Sequence, residues 1–368
     1  MRVLMISKAC LVGIYQRKME ELARVPDMTL KVLVPPAWND RGGRVPLERA
    51  HTEGYDLEAI PIAFNGNYHL HFYPTLGRHV RAFRPDIVHI DEEPYNLATW
   101  QAMRLSRAVG ARALFFTWQN ILRRYPPPFR WMEAYNYRHA AYAIAGNREA
   151  VAVLRAKGFS GPIAVIPQFG VDTERFAPDE NLPDPALPFT VGFIGRMVPE
   201  KGVALLLEAM AGMDGDWRLV YLGDGPARAE LEARAQAMGL ASRVAFYSRV
   251  PSVEMPAYLR RLHALVLPSL TRPNWKEQFG RVLIEAMACG VPVVGSDSGE
   301  IPNVIGEAGL VFPEGDVEAL RAALVRLRDD RDLRGHLAGA GRARVLAEFT
   351  HAQVAQKTYR VYREMLNR

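Results

Sequence analysis

Short apolar runs alternate with longer segments in which apolar residues recur every three or four positions. The runs have the length of buried strands, and the longer segments have helical periodicity. Strands that alternate with helices in this way are typical of an α/β fold with a parallel sheet. In the first half of the chain, the predicted strands are residues 3–7, 30–34, 87–90, 113–117, 141–145 and 163–166. The predicted helices between them are residues 16–24, 75–83, 99–109 and 148–157.

The alternation stops between residues 173 and 188 and then starts again. This segment holds four prolines and several acidic residues, a composition that indicates a linker. We therefore predict two domains, residues 1–172 and residues 189–349. The predicted strands of the second domain are residues 190–194, 219–222, 244–247, 264–267 and 291–295. Residues 350–368 are predicted to form an amphipathic helix that carries Ala355, Tyr359, Tyr362 and Leu366 on one face.

Two glutamates lie eight positions apart after the predicted strand 264–267. Glu277 lies in a polar loop, and Glu285 lies inside a short apolar helix predicted at residues 280–288. A carboxylate in such an apolar helix is unfavourable unless it has a partner. One candidate partner is a vicinal diol, which can donate two hydrogen bonds, and the other is a nearby arginine. The free N–H groups at the start of the helix would favour an anion close to Glu277.

Two cations follow the first strand of the second domain. Arg196 and Lys201 are five positions apart in a stretch that begins with the strand-ending Gly195 and contains Pro199. A short turn could direct both side chains at one pyrophosphate, which paired cations bind well. Alternatively, both charges are simply solvated in a strand-end loop.

The segment from Glu277 onwards resembles the retaining family-4 glycosyltransferases, also called glycosyltransferase group 1. The resemblance is carried by Glu277-Gln-Phe-Gly, by the spacing to the second glutamate, and by Glu285-Ala-Met-Ala-Cys-Gly-Val-Pro-Val-Val. It implies the GT-B fold, an α/β architecture of two Rossmann-like domains whose parallel sheets face a central cleft. The N-terminal domain would bind the acceptor and the C-terminal domain a nucleotide sugar such as a UDP-sugar or GDP-sugar. The last helix would pack back onto the N-terminal domain.

The resemblance also implies an activity and roles for individual residues. A sugar would move, with retention of configuration, from a nucleoside-diphosphate sugar to a hydroxyl of a glycan, a lipid-linked acceptor or a small molecule. Glu277 would contact the donor sugar, Arg196 and Lys201 the departing diphosphate, and Glu285 the ribose diol. Further donor-binding residues would be Gln278, Phe279, Gly280, Gly13, Gly223, Arg249 and Val250.

The chain departs from the family pattern at two places in the first domain. The loop after the first strand holds only Gly13 where relatives have paired glycines, and it is not a G-x-G-x-x-G loop. After the strand 113–117, Trp118-Gln119-Asn120 stands where relatives often carry a histidine. Ordinary packing is the alternative for Trp118, and a diverged site is the alternative for Gln119 and Asn120. For Glu92 and Glu93 the alternative is a solvated loop, and for His71 it is a mobile surface loop. The acceptor-side candidates are Trp118, Gln119, Asn120, His71, Glu92 and Glu93.

Composition narrows the classes of protein that fit this pattern. The net charge of +6 is small and spread along the chain, which suits a diphosphate ligand and argues against nucleic-acid binding. No run approaches about 20 apolar residues, and the N-terminus enters a strand directly, so we expect a cytoplasmic protein. Residues 123–131 mix basic and aromatic side chains, which leaves peripheral contact with the inner membrane face open for a lipid-linked acceptor.

No metal or cofactor is expected. No His or Cys cluster has the spacing of metal ligands, and the two cysteines, far apart in sequence, give no disulfide framework. The acidic pairs Asp214/Asp216 and Asp330/Asp332 are interpreted as a turn and a surface helix. The nucleoside-diphosphate sugar would be a co-substrate, used for example in polysaccharide biosynthesis. A GT-B sugar-nucleotide epimerase or phosphorylase, or a catalytically silent nucleotide-sugar-binding partner protein, remains the alternative.

Overall fold

The computed structural model describes residues 1–40, 42–179 and 188–367. It divides into two compact units: unit 1 is Met1–Gly170 with His351–Arg368, and unit 2 is Val171–Thr350. Residues 180–187, which form half of the predicted linker, lie outside the described residues. Among the described helices, none combines the length and the apolar character that crossing a membrane requires.

Fifteen strands and thirteen α-helices are described in chain order. The strands β1–β15 are Arg2–Ile6, Thr29–Val34, Ala37–Asp40, Gly43–Pro46, Asp56–Ala59, Ile87–Ile90, Arg112–Thr117, Tyr142–Ala145, Ile163–Val165, Phe189–Ile194, Trp217–Leu222, Val244–Tyr247, Ala264–Leu267, Val293–Ser296 and Leu310–Phe312. The helices α1–α13 are Arg17–Ala23, Leu76–Phe83, Leu97–Ala108, Phe129–His139, Arg148–Ala156, Val203–Ala211, Arg228–Ala237, Met255–Leu259, Arg281–Ala288, Ile301–Ile305, Val317–Asp329, Arg331–Glu348 and His351–Asn367. Short 3-10 helices lie at Ala9–Leu11, Gly13–Gln16 and Pro199–Lys201.

Unit 1 is built on a seven-stranded sheet in the order β5-β2-β1-β6-β7-β8-β9, and every pair in it is parallel. Both faces are covered, which explains why the inner strands β1, β6, β7 and β8 are mostly apolar along their length rather than alternating. Val3 and Met5 of β1 pack on the face that α1 and α13 cover. Leu4 and Ile6 pack on the other face, against α2, α3 and α5.

The final helix α13 is part of unit 1 although unit 2 separates it in sequence. Its buried side chains Val354, Val361, Tyr362 and Met365 pack into the same cluster as β1 and β2. The Tyr362 hydroxyl lies 2.6 Å from Nδ1 of His89 on β6, and both residues are fully buried. This hydrogen bond fixes α13 against the centre of the sheet.

Unit 2 is built on a six-stranded parallel sheet in the order β12-β11-β10-β13-β14-β15. One continuous hydrophobic cluster, from Val171 to Phe349, surrounds it. Both sheets are parallel and doubly wound, so the prediction of two Rossmann-like α/β domains is confirmed. Each of the eleven predicted strands lies within two residues of its predicted ends. β14, for example, starts at Val293 rather than at residue 291, after the turn at Cys289 and Gly290 that ends α9.

Candidate functional site

The order of the strands in unit 2 defines where a ligand can enter the sheet. β10 comes first in sequence but lies between β11 and β13, so the winding reverses between β10 and β13. In open parallel sheets, ligands bind at the carboxyl ends of the strands at such a switch point. The two loops at that point are residues 195–202 and residues 268–280, which contain the predicted catalytic residues.

Gly202 brings these two loops into contact. It has a φ of +65°, and an added Cβ would overlap the carbonyl oxygen of Pro268. It also ends the 3-10 helix that carries Lys201 and begins α6. Only glycine combines that backbone angle with that close approach.

Lys201 and Glu277 meet across the switch point. The Nζ of Lys201 forms an ion pair with Oε2 of Glu277, and the Ser269 hydroxyl donates a hydrogen bond to the same oxygen at 3.0 Å. Lys201 Nζ also lies 5.2 Å above the Trp275 ring. The Glu277 residue is only 7% exposed, whereas the Lys201 side chain is 21% exposed. The cation therefore stays accessible to a ligand while the carboxylate is held in place.

The loop after β14 holds the backbone of Glu277. The carbonyl oxygen of Glu277 accepts a hydrogen bond from the Glu300 N–H at 3.1 Å, and an added Cβ on Gly299 would overlap that oxygen. Ser269, Gly299 and Glu300 were not singled out from the sequence. The only local signal is the Ser298-Gly299 turn, because the contacts are made between distant segments.

Arg196 is separate from this ion pair. Its side chain is exposed, and no hydrogen bond or ion pair is recorded for its guanidinium within the described part of the chain. It follows Gly195, whose N–H donates to the Leu222 carbonyl at 3.0 Å. The structure thus brings Lys201 and Glu277 together and places Arg196 at the start of the same loop.

Glu285 lies in the second turn of α9 and is paired within its own helix. Arg281 Nε lies 2.8 Å from Oε1 of Glu285, which is the arginine alternative raised by the sequence. Burial raises the pKa of the Glu285 carboxyl, and Arg281 opposes that shift. Gly280, with a φ of +77°, begins the helix directly after Gln278 and Phe279. The first N–H groups of α9 therefore point to the carboxyl edge of the sheet.

The loops after β11 and β12 join the same edge. Gly223 has a φ of +138°, and an added Cβ would overlap the Gly195 carbonyl oxygen. The Asp224 carboxylate accepts a hydrogen bond from the Arg249 N–H at 2.9 Å, which lowers the pKa of that carboxyl. The Arg249 side chain is exposed and Val250 is half-buried. Three consecutive strand-end loops are linked in this way.

Unit 1 has its own switch point, between β1 and β6. The Ser7 hydroxyl donates to Asp91 Oδ2 at 2.5 Å, and Lys8 Nζ lies 3.0 Å from Glu92 Oε2. Lys8 Nζ also lies 4.7 Å from the Trp38 ring and 4.9 Å from the Tyr68 ring. Glu92 is therefore buried and ion-paired rather than solvated.

A polar cluster with unsatisfied atoms surrounds Glu92. Four buried atoms there have no hydrogen-bond partner among the described residues: His71 Nε2, Tyr73 Oη, Glu92 Oε1 and Asn96 Oδ1. His71 Nε2 lies 3.6 Å from Glu92 Oε1, beyond hydrogen-bond distance. Buried polar atoms are nearly always satisfied by protein, water or ligand, so this cluster is a candidate binding site.

Neighbouring acids in this loop have opposite pKa shifts. Burial acts to raise the pKa of Glu92, but Lys8 and His71 lower it to about 2. Burial raises the pKa of Glu93 to about 7, although hydrogen bonds from the Thr117 hydroxyl and the Trp118 N–H oppose this. Those two hydrogen bonds are 2.6 and 2.8 Å long. Glu93 therefore connects the loop after β6 to the loop after β7.

The three residues after β7 are held by neighbouring side chains. The Trp118 ring covers Gly146, where an added Cβ would overlap it, and Trp118 Nε1 donates to Gln168 at 3.0 Å. Gln119 accepts a hydrogen bond from Lys157 at 3.0 Å, and Asn120 is buried. Trp118 thus has the packing role that was its alternative.

Gly13 is also engaged within unit 1. Its N–H donates to Glu48 Oε2 at 2.6 Å, and an added Cβ would crowd Ala50. Across the described ranges, no group of three or more His, Cys, Asp and Glu side chains could hold a metal ion.

Comparisons with known proteins show which family the chain resembles. Residues 177–344 match the family model described as glycosyl transferases group 1, and residues 17–168 match the glycosyl transferase 4-like domain. The chain is 32% identical over 327 residues to a phosphatidyl-myo-inositol mannosyltransferase of Mycobacterium leprae, covering 83% of this chain and 81% of that protein. It is 30% identical to a 2-deoxystreptamine N-acetyl-D-glucosaminyltransferase of Streptomyces fradiae, over 66% of this chain and 62% of that protein.

A solved structure gives the fold independently. Sucrose-phosphate synthase from Thermosynechococcus elongatus superposes with a TM-score of 0.74 at 21% identity, covering 100% of this chain and 99% of that one. This similarity confirms the predicted GT-B fold class.

Proposed function

Since this chain belongs to the group 1 glycosyltransferases, we propose that it transfers a hexosyl group from a nucleoside-diphosphate sugar to a hydroxyl acceptor. The membership confirms the resemblance carried by the Glu277 and Glu285 motif. We further propose that the anomeric configuration is retained and that no divalent metal is required. The observation that carries the proposal is the meeting of Lys201 and Glu277 at the switch point of the unit 2 sheet.

Lys201 and Arg196 replace a metal ion in this proposal. They lie on one strand-end loop, and the Lys201 side chain is accessible. Cations aimed at the departing diphosphate stabilise the negative charge that develops as the glycosidic bond breaks. Phosphates can also accept N–H donors at the start of α9, next to Gln278, Phe279 and Gly280.

Glu277 orients the donor sugar and stabilises positive charge at its anomeric carbon. Its fixed position, with one oxygen shared by Lys201 and Ser269, supports this role because little reorganisation is needed. In a front-face route, a phosphate oxygen of the donor takes the proton of the acceptor hydroxyl. That route requires no base at Trp118, which is packed against Gly146.

The nucleoside part of the donor is assigned to the neighbouring loops. Glu285 would bind the ribose diol. The diol hydroxyls would either displace Arg281 from the Glu285 carboxylate or bind beside it. Gly223, Arg249 and Val250 line the loops after β11 and β12 and would contact the base. For Gly13, a donor contact stays a prediction from the family resemblance, and its N–H is bonded to Glu48 within unit 1.

The acceptor is proposed to be a polyhydroxyl ring bound by the polar cluster of unit 1. His71, Glu92 and Asn96 offer both donors and acceptors, and a hydroxyl group can satisfy either kind. The names of the two relatives contain myo-inositol and 2-deoxystreptamine, both polyhydroxyl rings. Glu93, Gln119 and Asn120 border the cluster on the loops after β6 and β7.

We place the reaction in the cytoplasm, with peripheral membrane contact if the acceptor is lipid-linked. Leu122 and Trp131 are 55% and 67% exposed in a segment that also carries exposed arginines. Such a mixture of apolar and basic side chains suits an anionic membrane surface.

The test is acceptor-dependent release of nucleoside diphosphate. UDP-, GDP- and ADP-sugars are first screened by thermal shift, because a ligand at 100 times its Kd stabilises by about 2.7 kcal/mol. With the nucleotide sugar that gives the largest thermal shift, the variants Glu277→Gln and Lys201→Gln are expected to lose at least about 100-fold in kcat. The matched control is Lys31→Gln, which removes a lysine from the Asp56 and Glu58 pairs between β2 and β5 and should leave kcat unchanged.

Two further readouts test the finer statements. Proton NMR of the product distinguishes retention from inversion, and a chelator should leave the rate unchanged. Wild-type turnover in both site variants would contradict the assignment of roles. Conversion of the donor without an acceptor would indicate an epimerase instead.

A further inference from the structure

Unit 1 has a surface recess at the end of its strands that lies opposite to the Lys8 and Glu92 loops. The recess has a volume of about 630 Å³ and is lined by residues that precede β6 and β7. It therefore lies at the amino ends of the strands, whereas Lys8 and Glu92 lie at the carboxyl ends. A ligand bound in the recess would therefore not compete with a ligand bound at the polar cluster around Glu92.

Three arginines line this recess: Arg81, Arg84 and Arg112. Within residues 1–40, 42–179 and 188–367, no side-chain hydrogen bond or ion pair is recorded for any of the three guanidinium groups. The recess also contains Asp86, whose Oδ2 already accepts the Arg2 N–H at 2.7 Å. Three guanidinium groups and one carboxylate give the recess a formal charge of +2.

Helix ends explain only part of this arrangement. Arg81 lies in the last turn of α2, where a positive side chain interacts favourably with the helix dipole. Arg112, however, starts β7, and Arg84 has a φ of +50°, in the left-handed region that glycine usually occupies at such a position. An arginine at a position that favours glycine suggests that its side chain has a use there.

The remaining lining gives the recess an apolar side. Pro85, Val109 and Leu366 contribute carbon surface, and Leu366 is 38% exposed. Gly110, with a φ of +74°, has no heavy atom within 4 Å of an added Cβ, so the backbone there is open. The volume falls in the range of about 300–1,000 Å³ that is common for small-molecule sites. The occupant should thus carry both an anionic group and an organic body.

We propose that this recess binds a phosphomonoester. Its phosphate carries a charge of about −1.5 to −2 at neutral pH, which matches the +2 of the recess. Guanidinium groups bind phosphate oxygens with paired N–H donors, and three of them can surround one phosphate. The organic part would lie against Pro85, Val109 and Leu366. The phosphomonoester could be a free metabolite or the headgroup of phosphatidic acid.

Binding of two probes to the full-length protein tests this proposal and separates the two sources. Glycerol 3-phosphate is titrated by calorimetry, and vesicles of phosphatidylcholine with or without phosphatidic acid are tested by flotation. The variant is Arg84→Gln with Arg112→Gln, which should weaken binding at least about tenfold. The matched control is Arg78→Gln with Arg104→Gln, which removes the same charge from exposed positions on α2 and α3 outside the recess.

The recess variant and the control variant distinguish binding in the recess from a general effect of surface charge. Binding of either probe that is lost in the recess variant and kept in the control supports the proposal, and the probe identifies the source. Failure of both probes, equal loss in both variants, or binding retained in the recess variant would overturn it. If the double variant does not fold, the exposed Arg81→Gln is used instead, with an expected loss of about threefold or more.

Discussion

Gly202 is the residue on which the position of Lys201 depends. Any side chain there would need an unfavourable φ of +65° and would overlap the Pro268 carbonyl. The overlap would push apart the loops that hold Lys201 and Glu277. A residue with no chemistry of its own therefore sets the geometry of the ion pair.

We predict that Gly202→Ala destabilises unit 2 by at least about 2 kcal/mol and lowers transfer activity. The matched control is Gly239→Ala, because Gly239 has a φ of +72° and no heavy atom within 4 Å of an added Cβ. The Gly239→Ala variant has the backbone strain without the overlap, so its free energy of unfolding should fall by about 1 kcal/mol. Chemical denaturation measures both, and equal losses would show that the overlap with Pro268 is relieved at no cost.

Glu93 gives unit 1 a dependence on pH. Burial raises the pKa of its carboxyl from 4.5 to about 7, so the native state binds this proton more tightly than the unfolded chain does. Stability from this group is therefore lost as the pH rises from about 4.5 to about 7. Deprotonation would leave a buried charge that accepts hydrogen bonds from the Thr117 hydroxyl and the Trp118 N–H.

We predict that the wild-type protein loses more stability between about pH 5 and about pH 7.5 than Glu93→Gln does. Urea unfolding at the two pH values measures the difference. Glu53→Gln, which removes an exposed carboxylate of the same unit, serves as the control. Parallel pH dependence of the wild type and Glu93→Gln would contradict the prediction.

At the scale of elements, the helix α13 packs on unit 1 through many apolar contacts and through the buried hydrogen bond between Tyr362 and His89. Burial lowers the pKa of His89 well below its ordinary value, so the ring is neutral and shares a hydrogen bond with Tyr362. Removing the hydroxyl would leave a buried ring nitrogen without its partner. Such an unsatisfied group costs more than the lost bond alone.

We predict that Tyr362→Phe destabilises unit 1 by about 1–3 kcal/mol. Tyr359→Phe is the matched control on the same helix, because the Tyr359 hydroxyl accepts its hydrogen bond from the exposed Arg363, at 3.3 Å. Thermal and urea unfolding of both variants give the comparison. A loss in Tyr359→Phe as large as in Tyr362→Phe would refute the role of the His89 hydrogen bond.

The elements that could be predicted from the sequence are those with a strong local pattern. β6 and β13 are predicted at their observed ends because strands buried on both faces are continuous apolar runs. β12 is also predicted at its observed ends, although it lies at the edge of its sheet. The hairpin β3–β4 and the edge strands β5 and β15 are not predicted, because β3, β4 and β5 mix polar and apolar residues and β15 is only three residues long. Seven helices are not located from the sequence, namely α4, α6, α7, α8, α10, α11 and α12, although Asp330, which caps α12, is assigned to a surface helix.

The residues of the candidate site also differ in whether the sequence alone predicts them. Glu277 and Lys201 could be proposed because their motifs are continuous in sequence, and the fold then brought them together. Ser269 and Gly299 hold Glu277 from other loops, and nothing near them in sequence indicates that contact. Long-range contacts of this kind depend on the order of strands in the sheet.

At the scale of the whole molecule, unit 2 interrupts unit 1. The chain leaves unit 1 after Gly170 and returns to it at His351. The core of unit 2 uses only residues between Val171 and Phe349, whereas the core of unit 1 needs side chains from α13. The two units therefore differ in whether one continuous segment is enough to fold them.

We predict that a fragment of residues 171–350 folds alone and unfolds cooperatively. A fragment of residues 1–170 should not reach native packing until a peptide of residues 351–368 is added. Near-ultraviolet circular dichroism follows both, and a peptide with Val361→Asp serves as the control that should not rescue. Native packing of residues 1–170 without the peptide would show that α13 is dispensable.

Because unit 1 consists of two separate segments, it cannot complete its core during synthesis on the ribosome until the second segment has been made. When Gly170 has been added, the face of the sheet that α13 will cover is still bare, and residues 171–350 must be made first. At about 5–20 residues per second, that interval lasts roughly 10 to 40 s. Throughout it, an apolar surface around β1 and β2 is exposed to other nascent chains. Unit 2 can therefore mature before unit 1, and a chaperone that shields this surface should raise the yield of native protein.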